Sequence, residues 1–156
     1  MPELPEVEVI VRGLRRCAVG RRISRAEFLW SGLVIGDAQR TANLLQGLTI
    51  CQVRRYGKYI LIDVEGRRQR YYLTIHLRMT GNFIVNGRSG PYTRAILDLE
   101  DGSTLIYHDI RKFGRWQLSD KLPARLSELG PEPLEISEDE FCNLLSVRRG
   151  MIKALL

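Results

Sequence analysis

A proline directly after the initiating methionine, with two glutamates one helical turn apart, opens the chain: Met1-Pro2-Glu3-Leu4-Pro5-Glu6. Removal of Met1 would expose Pro2 as a secondary α-amine. An α-amino group titrates at roughly 8, against roughly 10.4 for lysine, so a usable fraction is unprotonated near neutrality. A secondary amine attacking a sugar C1′ forms a cationic iminium, an intermediate of the Schiff-base type. Glu3 lies beside that amine and could protonate the sugar oxygen as the ring opens. Glu6, one turn further on, could hold a water or orient the amine. A plainer account stands next to this one. Carboxylates at a helix N-terminus complement the helix dipole, and Pro2 would then be only a start residue.

The elements that must position these groups follow from periodicity. Leu4, Val7, Ile10, Val11 and Leu14 repeat at helical spacing, Pro5 suits a first helical turn, and Val19-Gly20 closes the helix. From Ile23 to Trp116 the pattern becomes short strands and turns. Runs at Thr49–Tyr56 and Lys58–Val64 meet at Gly57. Further runs follow at Tyr71–Leu77, Gly81–Val85, Ala95–Leu99, Thr104–Tyr107 and Arg115–Leu118. Asp101-Gly102 between two apolar runs marks a hairpin. The expectation is a mainly β fold with flanking helices: an N-terminal helix leading into a two-sheet antiparallel β-sandwich. After Trp116 helical patterning returns, at Ala124–Leu129 and from Ser137, whose partner Glu140 makes a capping box, to about Val147. Another helix is expected from Met151, and its interruption at Leu156 reads as a truncation. The boundary falls at Gly130-Pro131, giving a catalytic domain over 1–130 and the start of a helical domain over 131–156.

Composition narrows the partners. Lys and Arg number 24 against 18 Asp and Glu, leaving +6, a surplus that draws a protein towards polyanions. Arginine dominates, which favours bidentate contact with phosphates or bases. No apolar run approaches a membrane span, and no signal peptide is readable, so no membrane partner is expected. Cys17, Cys51 and Cys142 are odd in number and far apart, which fits free thiols in a reducing compartment.

Five ordered motifs carry a resemblance. The opening MPELPEVE, then Arg55-Tyr56-Gly57-Lys58-Tyr59, His76-Leu77-Arg78-Met79-Thr80-Gly81, Asp109-Ile110-Arg111-Lys112-Phe113-Gly114 and Leu129-Gly130-Pro131-Glu132-Pro133-Leu134 are similar to those of formamidopyrimidine-DNA glycosylases. The resemblance implies a bacterial, cytoplasmic, monomeric base-excision enzyme. It would act on double-stranded damaged DNA as a glycosylase and AP lyase for oxidised purines such as 8-oxoguanine and formamidopyrimidines. It assigns Pro2 as nucleophile, Glu3 as its acid partner with Glu6 as a further catalytic residue beside it, and Lys58 as proton donor for β-elimination and a phosphate contact. Without it, Lys58 would pass for a charge that protects an edge strand. Met79, Arg111 and Phe113 would fill the hole left by a flipped-out nucleotide, partly replacing its lost stacking. Tyr92 and His76 would touch DNA, as would Arg149, which aligns better than Arg148 with a phosphate-binding lysine.

Two departures matter. Tyr92 stands where the family often has histidine, and Ile110 stands where its DPRRFG loop has proline. The family continues into a helix-two-turn-helix and a four-cysteine zinc finger, so the resemblance implies no zinc or other cofactor within these 156 residues. Alternatives are an endonuclease VIII-like glycosylase for oxidised pyrimidines, although those begin MPEGPE, and a non-catalytic DNA-binding module. A proline-based tautomerase is disfavoured by the strand-rich, arginine-rich middle. The excision reading requires Pro2, Glu3, Glu6 and Lys58 to converge in one basic cleft.

Overall fold

The computed structural model describes residues 1–127, 129–132, 135–147 and 149–150; Arg148 and the expected helix from Met151 lie outside them. Helix α1 spans Leu4–Ala18, with Glu3 as its N-cap and Pro5 in its first turn. Its inner stripe of Val7, Val11, Leu14 and Ala18 is fully buried, while Val9 on the other side stays exposed. That stripe seals one edge of the core, and the helix docks chiefly on the strand Thr49–Tyr56.

Among the described residues eight antiparallel strands follow: β1 Ile23–Phe28, β2 Thr49–Tyr56, β3 Tyr59–Glu65, β4 Arg70–His76, β5 Asn82–Val85, β6 Thr93–Leu99, β7 Thr104–His108 and β8 Arg115–Ser119. They form two four-stranded sheets, in the orders β1-β6-β7-β5 and β2-β3-β4-β8. The expected sandwich is therefore present, and most strand limits fall within a residue or two of those read from the sequence. Asp101-Gly102 does turn β6 into β7: Gly102 has φ 85°, and the Asp101 carboxylate accepts the Ser103 N–H at 3.0 Å.

Between the sheets, Trp116 of β8 is fully buried. It meets the edge of Phe28 at 5.6 Å and Tyr107 at 5.2 Å, so one indole ties three strands from both sheets.

Two elements were not legible in the sequence. Strand β1 lies at the edge of its sheet, paired with β6 from Ile23↔Leu99 to Phe28↔Ala95. Helix α2, Ala38–Leu45, is capped by Asp37, which accepts the Arg40 N–H at 2.9 Å. It buries only Thr41, Ala42 and Leu45 against the β1 side, too small an apolar stripe to announce itself. At the far end, α3 covers Ala124–Ser127 and α4 covers Glu138–Ser146. Ser137 caps α4 by accepting the Glu140 N–H at 3.2 Å, as its sequence suggested. No residue of α4 is buried.

Candidate active site and nucleic-acid interface

The two-residue turn between β2 and β3 consists of Gly57 and Lys58, closed by the pair Tyr56↔Tyr59. Gly57 has φ 54°, which the first position of such a turn requires and a side chain would resist. Lys58 therefore sits in the turn itself, one residue before the strand on which it was expected. Its Nζ lies 2.6 Å from Glu3 Oε2. Glu3 is fixed in turn by Glu6, whose Oε2 accepts the Glu3 N–H at 3.0 Å. Glu6 is thus engaged in capping the helix and holds the backbone next to Pro2.

A buried ion network fixes the turn relative to α1. The Arg55 side chain, 4% exposed, bonds Glu8 of α1 at 2.8 Å and also pairs with Glu132. It donates to the Gly57 carbonyl at 3.2 Å, and Glu132 accepts the Gly57 N–H at 3.3 Å. Burial works to raise the Glu8 pKa, but the hydrogen bonds and charges of Arg55 and Arg12 outweigh it and hold that carboxyl below its ordinary value. One guanidinium therefore joins the helix bearing Glu3, the turn bearing Lys58 and the segment after α3.

Two further loops carry the residues expected to fill the space left by a flipped-out nucleotide. Met1, Arg78, Met79, Arg111, Phe113 and Arg115 line one pocket. The chain start and both loops therefore meet. Arg111 stacks its guanidinium on Phe113, 4.6 Å from the ring centroid. The loops are bolted together by Asp109, which is fully buried. It pairs with the Thr80 hydroxyl and accepts the Gly114 N–H at 2.7 Å. Thr80 Oγ1 accepts the Arg111 N–H at 3.1 Å. Arg94 Nε adds a bond to the Asp109 carbonyl at 2.9 Å. Neither Asp109 nor Thr80 received a role from the sequence, although a buried aspartate just before a glycine loop is a usable signal.

His76 pairs with Tyr59 across the sheet, which sets it beside the Lys58 turn. Its Nδ1 accepts the Arg78 N–H at 3.0 Å, and its ring meets the edge of Tyr59 at 4.6 Å. Burial, followed by the charges of Arg78, Lys58 and Arg125, pushes its pKa down to about 4. At neutral pH it is an uncharged imidazole with Nε2–H left as a donor. Arg125 of α3 reaches the same face and lies 5.3 Å from the Tyr59 ring, a placement that no local pattern signals. Tyr92 is half exposed, and its carbonyl accepts the Asp109 N–H at 2.9 Å, at the root of the loop bearing Arg111 and Phe113. Arg149 is exposed, and no contact among the described residues joins it to the site.

The arrangement matches a characterised family. Residues 1–116 fit the family model described as the formamidopyrimidine-DNA glycosylase N-terminal domain. The chain belongs to this family. The formamidopyrimidine-DNA glycosylase of Solibacter usitatus is 44% identical over the whole chain, which covers 58% of that relative. That of Moorella thermoacetica is 38% identical, with 60% of its length covered. The chain thus spans about three fifths of the curated relatives it matches. Among solved structures, the Lactococcus lactis Fpg in complex with abasic-site DNA superposes with a TM-score of 0.78 at 31% identity, over 90% of this chain and 52% of that one. A MutM bound to DNA containing carbocyclic 8-oxo-G gives 0.71 at 30% identity, over 77% and 45%. No helix among the described residues is long and apolar enough to cross a membrane.

Proposed function

We propose that this chain carries the excision chemistry of a bifunctional DNA glycosylase and AP lyase acting on oxidised purines in duplex DNA. The carrying observation is the 2.6 Å contact between Lys58 and Glu3, immediately beside Pro2. After removal of Met1, the Pro2 amine attacks C1′ of the damaged nucleotide as the base departs. The Pro2 N–H proton leaves with the base; Glu3, in its protonated form, then delivers a proton to the ring oxygen, and the opened sugar is held as an iminium. Loss of a C2′ proton then expels the 3′ phosphate, whose departing oxygen Lys58 protonates. Meanwhile Met79, Arg111 and Phe113 occupy the space vacated in the helix, and flipping costs a few kcal/mol that such stacking partly offsets. His76 Nε2–H and Tyr92 contact the backbone, and Arg149 extends that contact from beyond α4. Residues 1–130 form the catalytic unit, and 131–156 begin a helical DNA-binding unit.

A second lesion class gains support from one relative, since the Lactococcus lactis Fpg has also been solved with DNA containing an oxidised pyrimidine. Borohydride trapping tests both readings. The N-terminal mass must show Met1 absent, and a covalent adduct must form on an 8-oxoguanine duplex and not on undamaged DNA. A stronger adduct on an oxidised-pyrimidine duplex replaces the purine reading. Equal trapping with Met1 retained overturns the nucleophile assignment.

A further inference from the structure

Among the described residues, three non-glycine positions adopt left-handed backbone: Arg78 at φ 58°, Asn86 at φ 53° and Lys112 at φ 59°. Asparagine tolerates this region because its short amide bonds locally, whereas arginine and lysine have no such excuse. Arg78 and Lys112 stand on the two loops that carry Met79, Arg111 and Phe113. Backbone strain of this kind collects at ligand clamps, where the surrounding structure enforces it. At Arg78 the enforcement is visible. His76 Nδ1 takes its N–H, and the Gly81 N–H closes the turn onto the Leu77 carbonyl at 3.1 Å. Glycine would adopt the same turn without penalty.

The arginine side chain lines the pocket with Met1, Met79, Arg111, Phe113 and Arg115. That lining holds three guanidiniums and no carboxylate. Two of them are already engaged. Arg115 Nη1 donates to the carbonyls of Gly114 at 2.7 Å and Lys112 at 3.3 Å, and Arg111 lies on Phe113. No hydrogen bond or ion pair of the Arg78 guanidinium is made among the described residues. Its neighbour His76 is uncharged and offers a single N–H, so the guanidinium supplies the positive charge there.

Resting on the excision reading above, we infer that Arg78 is a further DNA-contacting residue, whose guanidinium grips a backbone phosphate beside the flipped nucleotide. A phosphodiester suits an acid-free pocket better than a base edge does, because a guanidinium binds its two oxygens bidentately and gains from full charge. The strained turn is what aims the side chain past His76 and into the pocket.

The test uses the 156-residue chain, a fluorescent duplex bearing a tetrahydrofuran abasic analogue, and the variants Arg78→Gly and Arg78→Gln. Anisotropy titrations across salt should show both variants binding about 5- to 20-fold more weakly at low salt. Their log–log salt slopes should be shallower by about 0.9, so that the gap from the parent shrinks about 3.5-fold between 50 and 200 mM salt. Arg78→Gly should melt about 2–4 °C higher because the strain is relieved, while Arg78→Gln should not. Unchanged affinity and slope in Arg78→Gly overturn the inference. Weakened binding with an unchanged slope and altered preference for the opposing base moves the contact to a base edge and overturns the phosphate assignment. A lower melting temperature for Arg78→Gly overturns the strain argument. Failure of the parent chain to bind DNA at all, or to be trapped, strikes the excision reading itself and is distinguishable from these results.

Discussion

Glu3 and Lys58 reach each other because a helix cap and a glycine turn present them at the same end of the sandwich, 2.6 Å apart. For the proposed mechanism, Glu3→Gln removes the proton source while keeping size and polarity. Single-turnover base release should fall by about 10²- to 10⁴-fold, with DNA affinity held within about twofold. Parallel loss of binding would make Glu3 a structural partner of Lys58 instead. Pro2→Gly still offers a terminal amine, though a primary one, so most cleavage should disappear while some adduct survives borohydride. At His76 the prediction concerns stability. Its pKa is pushed from 6.5 to about 4 by burial first and by neighbouring cations second. Between those values the unfolded chain binds more protons than the folded one, so stability falls as pH drops from 6.5 towards 4. Denaturant titrations across that window should be flatter for His76→Gln than for the parent. Identical slopes would mean that His76 titrates normally in the fold.

The proposed wedge depends on how two loops are clamped to the sheet containing β5, β6 and β7. Asp109 joins them by accepting the Gly114 N–H at 2.7 Å and pairing with Thr80. Gly114 itself is required by space. A Cβ there would stand 2.0 Å from the Tyr107 hydroxyl, and Tyr107 is fully buried beside Trp116. Gly114→Ala should therefore cost about 1–3 kcal/mol in chemical denaturation, as overpacking of a rigid core does. It should also slow lesion-dependent fluorescence changes of a 2-aminopurine placed opposite the wedge. A fully stable variant would show that the loop can shift. The Arg55 network sets the Gly57-Lys58 turn by the same logic. Removing Arg55 leaves Glu8 to Arg12 and Glu132 to the Gly57 N–H, so Arg55→Met should cost about 1–3 kcal/mol and uncouple Lys58 from Glu3.

At the scale of the whole molecule, the proposed function makes the sandwich one wall of a DNA site, in a chain spanning about three fifths of its curated relatives. Binding by these residues alone should be weak and steeply salt-dependent. Fusion to the remaining C-terminal length of the Solibacter usitatus relative should steepen the log–log salt slope by about 0.9 for each additional phosphate neutralised, and should speed cleavage. Robust 8-oxoguanine cleavage by the 156 residues without that addition would show this wall to be sufficient. Much of the architecture was already determined by the sequence. The helical repeat of Val7, Val11 and Leu14 and the strand runs broken by Gly57 and Asp101-Gly102 are local signals, because burial of one face imposes a period on neighbouring residues. That Glu3 and Lys58 would lie together was expected only through the resemblance of their motifs, since residue type and order alone left Lys58 as an edge-strand charge. The weak stripe of α2 and the edge strand β1 were not legible, because each is held by partners distant in sequence. Nor could residue order reveal that Glu6 caps the helix, that Arg55 binds Glu8 and Glu132, or that Arg78 is held at positive φ by His76. Those facts depend on which side chains the tertiary fold brings within hydrogen-bonding distance, and a one-dimensional pattern carries no such distances.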